Sequence, residues 1–564
     1  MRIKSIQYSF ITFFILLGFC LYYLQIVKGP LYRGLSYRNS IRLLNITGPR
    51  GIIYDTKKRG VALNELSFGV FIVPQEVEDF DAEINALSEI LGVSESLLKR
   101  NYKRNYQAPF APCELIRDIS KRDAIIIEEL KLDMQGVLVK EIPLRRYPYK
   151  EALAHVIGYI GEIDRRELFS LKSYGYRVKD FIGKAGIEKV ADNFLRGKNG
   201  GMQIQVNNRG QQVKVLNVRE PREGRDVYLT IDAQFQLFIW RMMRSEKGAA
   251  IFMDPRNGEI LSLVSSPSYD PNISLADVLN AEDSPLLNRA IMGQYPPGSL
   301  FKLVVALAGL ESGKILADQS FQCRGKLDIG SGEFNCWNLD GHGNMALRDA
   351  IIQSCNVYFY NTGILLGVEK ICEYAKLLGF SKKTGIELFG ETKGLVPSRV
   401  WKRIEKGEGW FTGDTANLSI GQGYLLATPL QVVRMIACVA NGGMLVEPHV
   451  VKGVGETWIS GHKNIRLKIK KENLDIIRDA MRGVVEDRHG TGRLAWNSYV
   501  TLSGKTGTSQ VGGDLRPHAW FGGFAPSENP EISFVIFLEH GGSGGDIAAL
   551  MVRKAMEYWF IHKK

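Results

Sequence analysis

Between Tyr8 and Val27 run twenty residues without a charge, among them Phe10, Phe13, Phe14, Ile15, Leu16, Leu17, Phe19 and Leu24. At 1.5 Å per residue, a helix of this length spans the roughly 30 Å hydrocarbon core of a bilayer. A cleaved signal peptide has a shorter apolar stretch and a small-x-small site after it, and no such site follows here. Bulky Phe19 before Cys20 also argues against lipoprotein processing. No second segment qualifies, because Leu303 to Leu310 is only eight residues and suits buried core. The expectation is one transmembrane anchor over residues 8–27 and a large soluble body after it. The tail over residues 1–7 is expected to leave no room for a further domain ahead of the anchor. Arg2 and Lys4 on one flank, and Lys28 and Arg33 on the other, leave the orientation open.

The 564 residues are 45% apolar and 23% charged, which is the balance of a globular chain and not of a disordered, collagen-like or multispan one. The net charge of +12 is scattered, with local clusters such as Lys99 to Arg104 but no long basic block. Nucleic acid is therefore not expected as a partner, while an anionic lipid or wall surface is compatible.

Residues 28–220 read as a composite module of short strands, such as Phe68 to Val73, and helical stretches, such as Ala82 to Leu91 and Lys121 to Leu132. Gly, Asn and Arg cluster from Arg196 to Gly210, a second turn-rich stretch covers Glu220 to Arg225, and the domain boundary is placed there. Over residues 221–564, strand-like runs (Val227 to Thr230, Ala249 to Met253, Ile260 to Val264) alternate with long apolar helices. About 340 residues are large for one lobe, so a sheet with an added helical subdomain is expected.

Three short constellations carry the chemistry. In Tyr295-Pro296-Pro297-Gly298-Ser299-Leu300-Phe301-Lys302 the prolines and glycine stop what precedes, and an all-apolar helix begins near Ser299. Ser299 and Lys302, at i and i+3, share a face. A lysine held in apolar surroundings loses its proton readily and can activate a neighbouring serine, while the helix N-terminus favours an oxyanion. Ser-x-x-K is a common string, and Ser96…Lys99 and Ser460…Lys463 repeat it in polar surface stretches. Ser354-Cys355-Asn356 then supplies a proton-relaying hydroxyl and a carboxamide, and Lys505-Thr506-Gly507-Thr508 reads as a strand bearing a cation, hydroxyls and a side-chain-free position. On an edge strand, Gly507 would let an extended substrate approach the backbone. Ser527-Glu528-Asn529 and Lys383-Thr384-Gly385 are decoys that lie in turns or polar loops.

The order S-x-x-K, S-x-N, K-T-G resembles the penicillin-recognising serine acyltransferases, which work through an acyl-enzyme. Longer strings narrow the resemblance to class B penicillin-binding proteins of the elongation type. They are Gly48-Pro49-Arg50-Gly51-Ile52-Ile53-Tyr54-Asp55, Arg145-Arg146-Tyr147-Pro148-Tyr149, His155-Val156-Ile157-Gly158-Tyr159, Gly183-Lys184-Ala185-Gly186-Ile187-Glu188-Lys189, Val206-Asn207-Asn208-Arg209-Gly210, Pro267 to Asn272, and Gly413-Asp414-Thr415 followed by Ile420-Gly421-Gln422-Gly423. The resemblance implies an α+β fold, in which an antiparallel sheet flanked by helices joins a helical subdomain and follows a mixed pedestal domain. It implies a D,D-transpeptidase that cross-links the stem peptides of peptidoglycan and that β-lactams inhibit. Ser299 would be the nucleophile, Lys302 the base, Ser354 the proton relay, and Asn356 would orient both the substrate amide and Lys302. Lys505 and Thr506 would bind the terminal carboxylate, and the N–H groups of Ser299 and Thr508 would form the oxyanion hole. The chemistry needs no cofactor. Further implications are a SEDS-type glycosyltransferase as partner, and a catalytic domain outside the cytoplasm on a single-pass inner-membrane anchor. The division-type paralogue is the alternative within the family. A β-lactamase with Glu405 or Glu408 as the water-activating group, or a β-lactam sensor, shares the same motifs.

Seven cysteines remain to be explained. Cys323, Cys336 and Cys355, with His342, follow the spacing C-x12-C-x5-H-x12-C, and glycines at 325, 330, 332, 341 and 343 make the intervening loop long enough to wrap a metal. Three thiolates and an imidazole would complete a tetrahedral structural Zn²⁺ site. A Cys323–Cys336 disulfide or buried thiols are the alternatives.

Overall fold

The computed structural model describes residues 2–206, 212–273 and 278–562; Asn207 to Gly210 of the Val206–Gly210 motif lie outside the described residues. The apolar segment forms a helix over Arg2–Tyr22 that continues as a π-helical turn, Tyr23–Val27. The stretch Ser5–Val27 has mean hydropathy 2.2 and is exposed along its whole length, as fits a single membrane anchor.

The chain divides into two compact units. One comprises Met1–Gly51, Asn64–Leu144 and Arg196–Arg225, and the other Ile52–Leu63, Arg145–Leu195 and Asp226–Lys564. The module expected over residues 28–220 is thus discontinuous in space, since its segments 52–63 and 145–195 fold with the unit that holds the three motifs. In the first unit, Ile41–Ile46, Gly200–Val206 and Gln212–Arg219 form an antiparallel sheet. Helices Phe80–Leu91 and Lys121–Glu129 begin on Asp79 and Ser120, whose side chains accept from first-turn N–H groups. Ile84, Leu87, Leu98, Leu115 and Ile127 close a small core there.

The second unit is organised by a five-stranded antiparallel sheet: β1 (Gly248–Met253), β2 (Ile260–Ser266), β3 (Ser503–Ser509), β4 (His518–Ala525) and β5 (Ile532–Leu538), in the order β2-β1-β5-β4-β3. The strands are apolar at successive positions because both faces are covered. With period two, Ile251, Trp520, Val535 and Phe537 join one core, while Phe252, Phe521, Phe534 and Ile536 join another. The second core is capped by α1 (Ala233–Met243) and the C-terminal helix Ala549–His562, through Phe235, Ile239, Val552 and Met556. The first is built on α2 (Lys302–Glu311), every residue of which is buried from Lys302 to Leu310. It also holds α3 (Leu347–Ile352), α4 (Asn356–Leu377), α5 (Thr412–Ser419) and α6 (Pro429–Ala440). α4 packs on α2 and α5, which makes the helical subdomain.

The early motifs staple this unit together. Asp55 accepts from Arg59 Nε at 2.7 Å and from Ala233 N at 3.1 Å, and Arg59 Nη2 reaches Asp232 Oδ1 at 2.6 Å, at the start of α1. Asn272 bonds both the N–H and the carbonyl of Tyr147. Arg145 Nε donates to Glu188 Oε1 at 2.7 Å, with both side chains almost wholly buried. Removing one partner of such a pair strands a buried charge, so Glu188→Ala is expected to destabilise the unit by about 3–5 kcal/mol. The apolar double replacement Arg145→Met with Glu188→Leu should recover much of that loss in the same thermal or denaturant unfolding measurement.

Candidate active site

Ser299 stands in a single 3₁₀ turn, Gly298–Phe301, and the α-helix α2 starts at Lys302. In a 3₁₀ turn residues three apart eclipse, which brings the serine and the lysine to one side. Backbone packing fixes the turn. Gly298, at φ +54°, donates its N–H to Gly421 O at 3.0 Å. A Cβ on Gly298 would lie 2.8 Å from Thr508 O, and one on Gly421 only 2.0 Å from Gly298 O. The turn that carries Ser299 therefore touches both β3 and the Gly421 loop with no side chain between.

Ser354 closes the gap between α3 and α4. It adopts φ +54°, a left-handed conformation that costs a non-glycine residue about 1–3 kcal/mol. Cys355 N bonds back to Ala350 O at 2.9 Å across this corner. The sharp turn directs the Ser354 hydroxyl at two ammonium groups, Lys505 Nζ at 2.8 Å and Lys302 Nζ at 3.3 Å. Lys302 Nζ also donates to Ser354 O at 2.8 Å and Asn356 Oδ1 at 2.6 Å. Burial lowers the pKa of Lys302 to about 8, although the nearby thiols of Cys355 and Cys336 oppose the shift. Lys505 is lowered too, first by burial and then by Lys302. Each lysine thus has reason to share a proton with Ser354.

Ser299, Ser354, Asn356, Thr506 and Thr508 line one cavity of about 1040 Å³. Two expected residues are placed differently from the sequence reading. Lys505 is wholly buried behind the cavity wall and donates to Ser354 Oγ and, at 3.1 Å, to Thr506 O, so it meets the cavity only through these two residues. The cavity surface near it is hydroxylic and basic: Thr506, Thr491 and Arg493. A Cβ on Gly507 would meet Trp520 Cβ at 2.9 Å and Pro297 O at 3.2 Å, so this glycine lets β3 sit against the turn that carries Ser299.

Thr491, absent from the sequence reading, bonds Thr506 Oγ1 at 2.8 Å, and its N–H reaches Ile352 O at 3.3 Å. The flanking Gly490 and Gly492 were its one sequence signal, and many turns share it. Asn335 O was also missed. It accepts from Asn356 Nδ2 at 3.2 Å and Tyr360 Oη at 3.1 Å. Glu405 and Glu408, the carboxylates a β-lactamase reading relied on, are exposed, and neither lines the cavity; Glu408 pairs with Lys402 at 3.5 Å.

The thiol cluster assembles beside this site. Ligand atoms of Cys323, Cys336, His342 and Cys355 all lie within 4.8 Å of one another. The cysteines are free thiols, and Cys323 Sγ and Cys336 Sγ each lie 3.5 Å from His342 Nδ1. Zinc bond lengths of about 2.3 Å to sulfur and 2.0–2.1 Å to nitrogen give a tetrahedral S···N edge of about 3.5 Å, so the donor set fits Zn²⁺. Asn356 N donates to Cys336 Sγ at 3.4 Å, and Cys355 separates Ser354 from Asn356.

Comparison with known proteins divides the chain along the sequence, into an N-terminal and a C-terminal part. The model of the penicillin-binding protein transpeptidase domain matches residues 248–557, and that of the penicillin-binding protein dimerisation domain matches residues 45–229. Peptidoglycan D,D-transpeptidase MrdA of Haemophilus influenzae is 31% identical over 576 residues, covering 96% of this chain and 88% of the relative. The structure of penicillin-binding protein PBP2 with MreC from Helicobacter pylori superposes with a TM-score of 0.82 at 30% identity, covering 93% of this chain and all of that one. A chain from a structure on polymerization and crosslinking by a peptidoglycan synthase complex gives a TM-score of 0.76 at 28% identity, covering 100% and 99%. With its serine, its two buried lysines and its glycine-packed turn on a fold matched over almost its whole length, this chain belongs to the penicillin-binding protein transpeptidase family.

Proposed function

We propose that the protein is an elongation-type peptidoglycan D,D-transpeptidase, a serine acyl-transfer enzyme that β-lactams inhibit. The observation that carries this reading is the convergence of Lys302 and Lys505 on Ser354 Oγ behind a cavity that Ser299 lines. Ser299 Oγ attacks the carbonyl of the penultimate D-alanine of a donor stem. Its proton passes to neutral Lys302 and, through Ser354, to the nitrogen of the departing terminal D-alanine. The carbonyl oxygen, now anionic, takes hydrogen bonds from the N–H groups of Ser299 and Thr508. The substrate's terminal carboxylate lies at Thr506, Thr491 and Arg493, in the field of Lys505. An amine on the third residue of a second stem then attacks the ester and releases Ser299, which leaves a 4→3 cross-link. The exposed positions of Glu405 and Glu408 favour transfer over a β-lactamase reading.

The substrate lies outside the cytoplasm. The anchor therefore crosses the inner membrane once, residues 1–7 stay inside, and the folded units lie in the periplasm. The neighbours solved with MreC and within a synthase complex support a place in an elongation assembly beside a SEDS-type glycosyltransferase. Cys323, Cys336, His342 and Cys355 would hold a structural Zn²⁺, which would support the corner at Ser354 and take no part in the chemistry.

Fluorescent penicillin should label the wild type covalently and Ser299→Ala not at all; labelling that survives the substitution refutes the assignment. The acylation rate should follow the neutral form of Lys302. It is level above about pH 8 and falls about tenfold per unit below it, because protonation removes the base. A rate that stays flat from pH 6 to 9 would exclude that role. Purified protein should carry about one zinc per chain. Cys336→Ser should lower that content and slow penicillin acylation by loosening Ser354. Metal-free protein with Cys336 oxidised would rule the site out.

A further inference from the structure

A second, smaller cavity of about 190 Å³ adjoins the catalytic one, and Asn417, Gln422 and Gly423 line both. Its remaining walls include Trp410, Asp414 and Tyr424. Both aromatic rings are held from behind: Trp410 Nε1 donates to Thr415 Oγ1 at 2.8 Å, and Tyr424 packs on Trp401 with ring centres 5.2 Å apart. Asp414 is the one charged residue in the lining. Lys402 Nζ at 2.7 Å and Phe411 N at 2.8 Å both bond its Oδ2, and among the described residues Oδ1 receives no bond. Lys402 itself is buried, over the rings of Phe411 and Tyr424, and takes no part in the lining. A cavity with aromatic walls and one carboxylate suits an aliphatic arm that ends in a cation.

The direction of β3 says which part of a substrate arrives there. In the reading above, the carboxylate end of a donor stem lies at Thr506 and Thr491, and the carbonyl under attack lies between Ser299 N and Thr508 N. The residues before that carbonyl therefore run on past Thr508. Gln422 stands at that point, its Nε2 3.4 Å from Thr508 O, and the small cavity opens beside it. Cross-linking in which each stem can serve as donor or acceptor requires every stem to carry an amine-bearing side chain. In a 4→3 link this residue directly precedes the penultimate D-alanine. A donor not yet linked through its own side chain thus brings a free ammonium to Asp414.

We propose that the cavity formed by Trp410, Asp414 and Tyr424 is a specificity pocket for the amine-bearing third side chain of the donor stem, with Asp414 holding its ammonium. The inference rests on the transpeptidase reading and on the substrate polarity that follows from it. It makes the enzyme select donors whose side-chain amine is still free.

The test uses the full-length protein in detergent and two thioester donors of the form N-acetyl-X-D-alanyl-thioglycolate, with X either lysine or its amine-free analogue norleucine. Acyl-enzyme formation is followed by intact-protein mass spectrometry, with fluorescent penicillin labelling in parallel. The wild type should be acylated by the lysyl donor about tenfold faster than by the norleucyl donor, as expected for one charge-assisted contact. Asp414→Asn should remove that preference, read as the ratio of the two donors' acylation rates in one preparation, with its remaining Ser299-dependent penicillin labelling showing that the variant is folded. Equal rates of wild-type acylation by the two donors, failure of the wild type to acylate with either, or an undiminished preference in Asp414→Asn would overturn the pocket. Loss of Ser299-dependent penicillin labelling, by contrast, would overturn the transpeptidase reading itself, so the two failures are distinct.

Discussion

Two ammonium groups buried against one hydroxyl are the constraint around which the catalytic unit is arranged. Taking a lysine out of water costs several kcal/mol unless acceptors replace the lost hydration. Lys302 finds Ser354 O, Ser354 Oγ and Asn356 Oδ1, and Lys505 finds Ser354 Oγ and Thr506 O. All but one of these acceptors belong to the three residues 354–356, so the lysines are tolerable only while that corner stays in place. What the acceptors leave uncompensated is the depressed basicity of both amines, and the proposed mechanism uses that of Lys302. A well-solvated lysine would be cheaper to keep and useless as a base at neutral pH.

The corner at Ser354 is consequently held from several sides. Its left-handed backbone is unfavourable by itself and persists because α3 and α4 are anchored in the main core on either side. Asn335 O takes hydrogen bonds from Asn356 and Tyr360, Thr491 N bonds the end of α3, and Cys355 enters the thiol cluster. These restraints arrive from segments far apart in sequence, which explains how a loop between two helices can position a hydroxyl as closely as a strand would. They also place the cysteine cluster in the support of the site and outside its reactions.

The parts of this arrangement that were legible in the sequence are those that depend on neighbours in the chain. Ser299 and Lys302 follow from one helical turn after a Pro-Pro-Gly stop, the β3 strand follows from its composition, and the grouping of Cys323, Cys336, His342 and Cys355 follows from spacing along a glycine-rich loop. Thr491, Tyr360 and Asn335 were not legible, because a threonine, a tyrosine and a backbone carbonyl carry no pattern until the fold brings them to the motif residues. For Gly507 the sequence shows only a side-chain-free position in a strand. The missing Cβ in fact faces Pro297 and Trp520, a relation that only the packing of β3 on the Ser299 turn discloses. The discontinuity of the module over residues 28–220 was hidden for a similar reason. Asp55, Arg145 and Glu188 were recognised as motif residues, but the bonds that place 52–63 and 145–195 in the catalytic unit run to partners such as Asp232 and Asn272, far along the chain.

Contact of Gly298 with Thr508 and Gly421 has a consequence for the order of events at the site. The turn that carries Ser299, the strand that carries Thr508, and the loop that leads through Gln422 to the smaller cavity meet with no side chain between them. Close-packed backbone of this kind has little room to adjust independently, so a strain applied at one of the three is passed to the others. In the proposed mechanism the donor stem lies along all three, its carboxylate end at Thr506 and its preceding residues at Gln422. Binding energy gathered at either end of the stem is therefore available to hold its carbonyl against Ser299, which is how contacts remote from the reacting bond come to accelerate its cleavage.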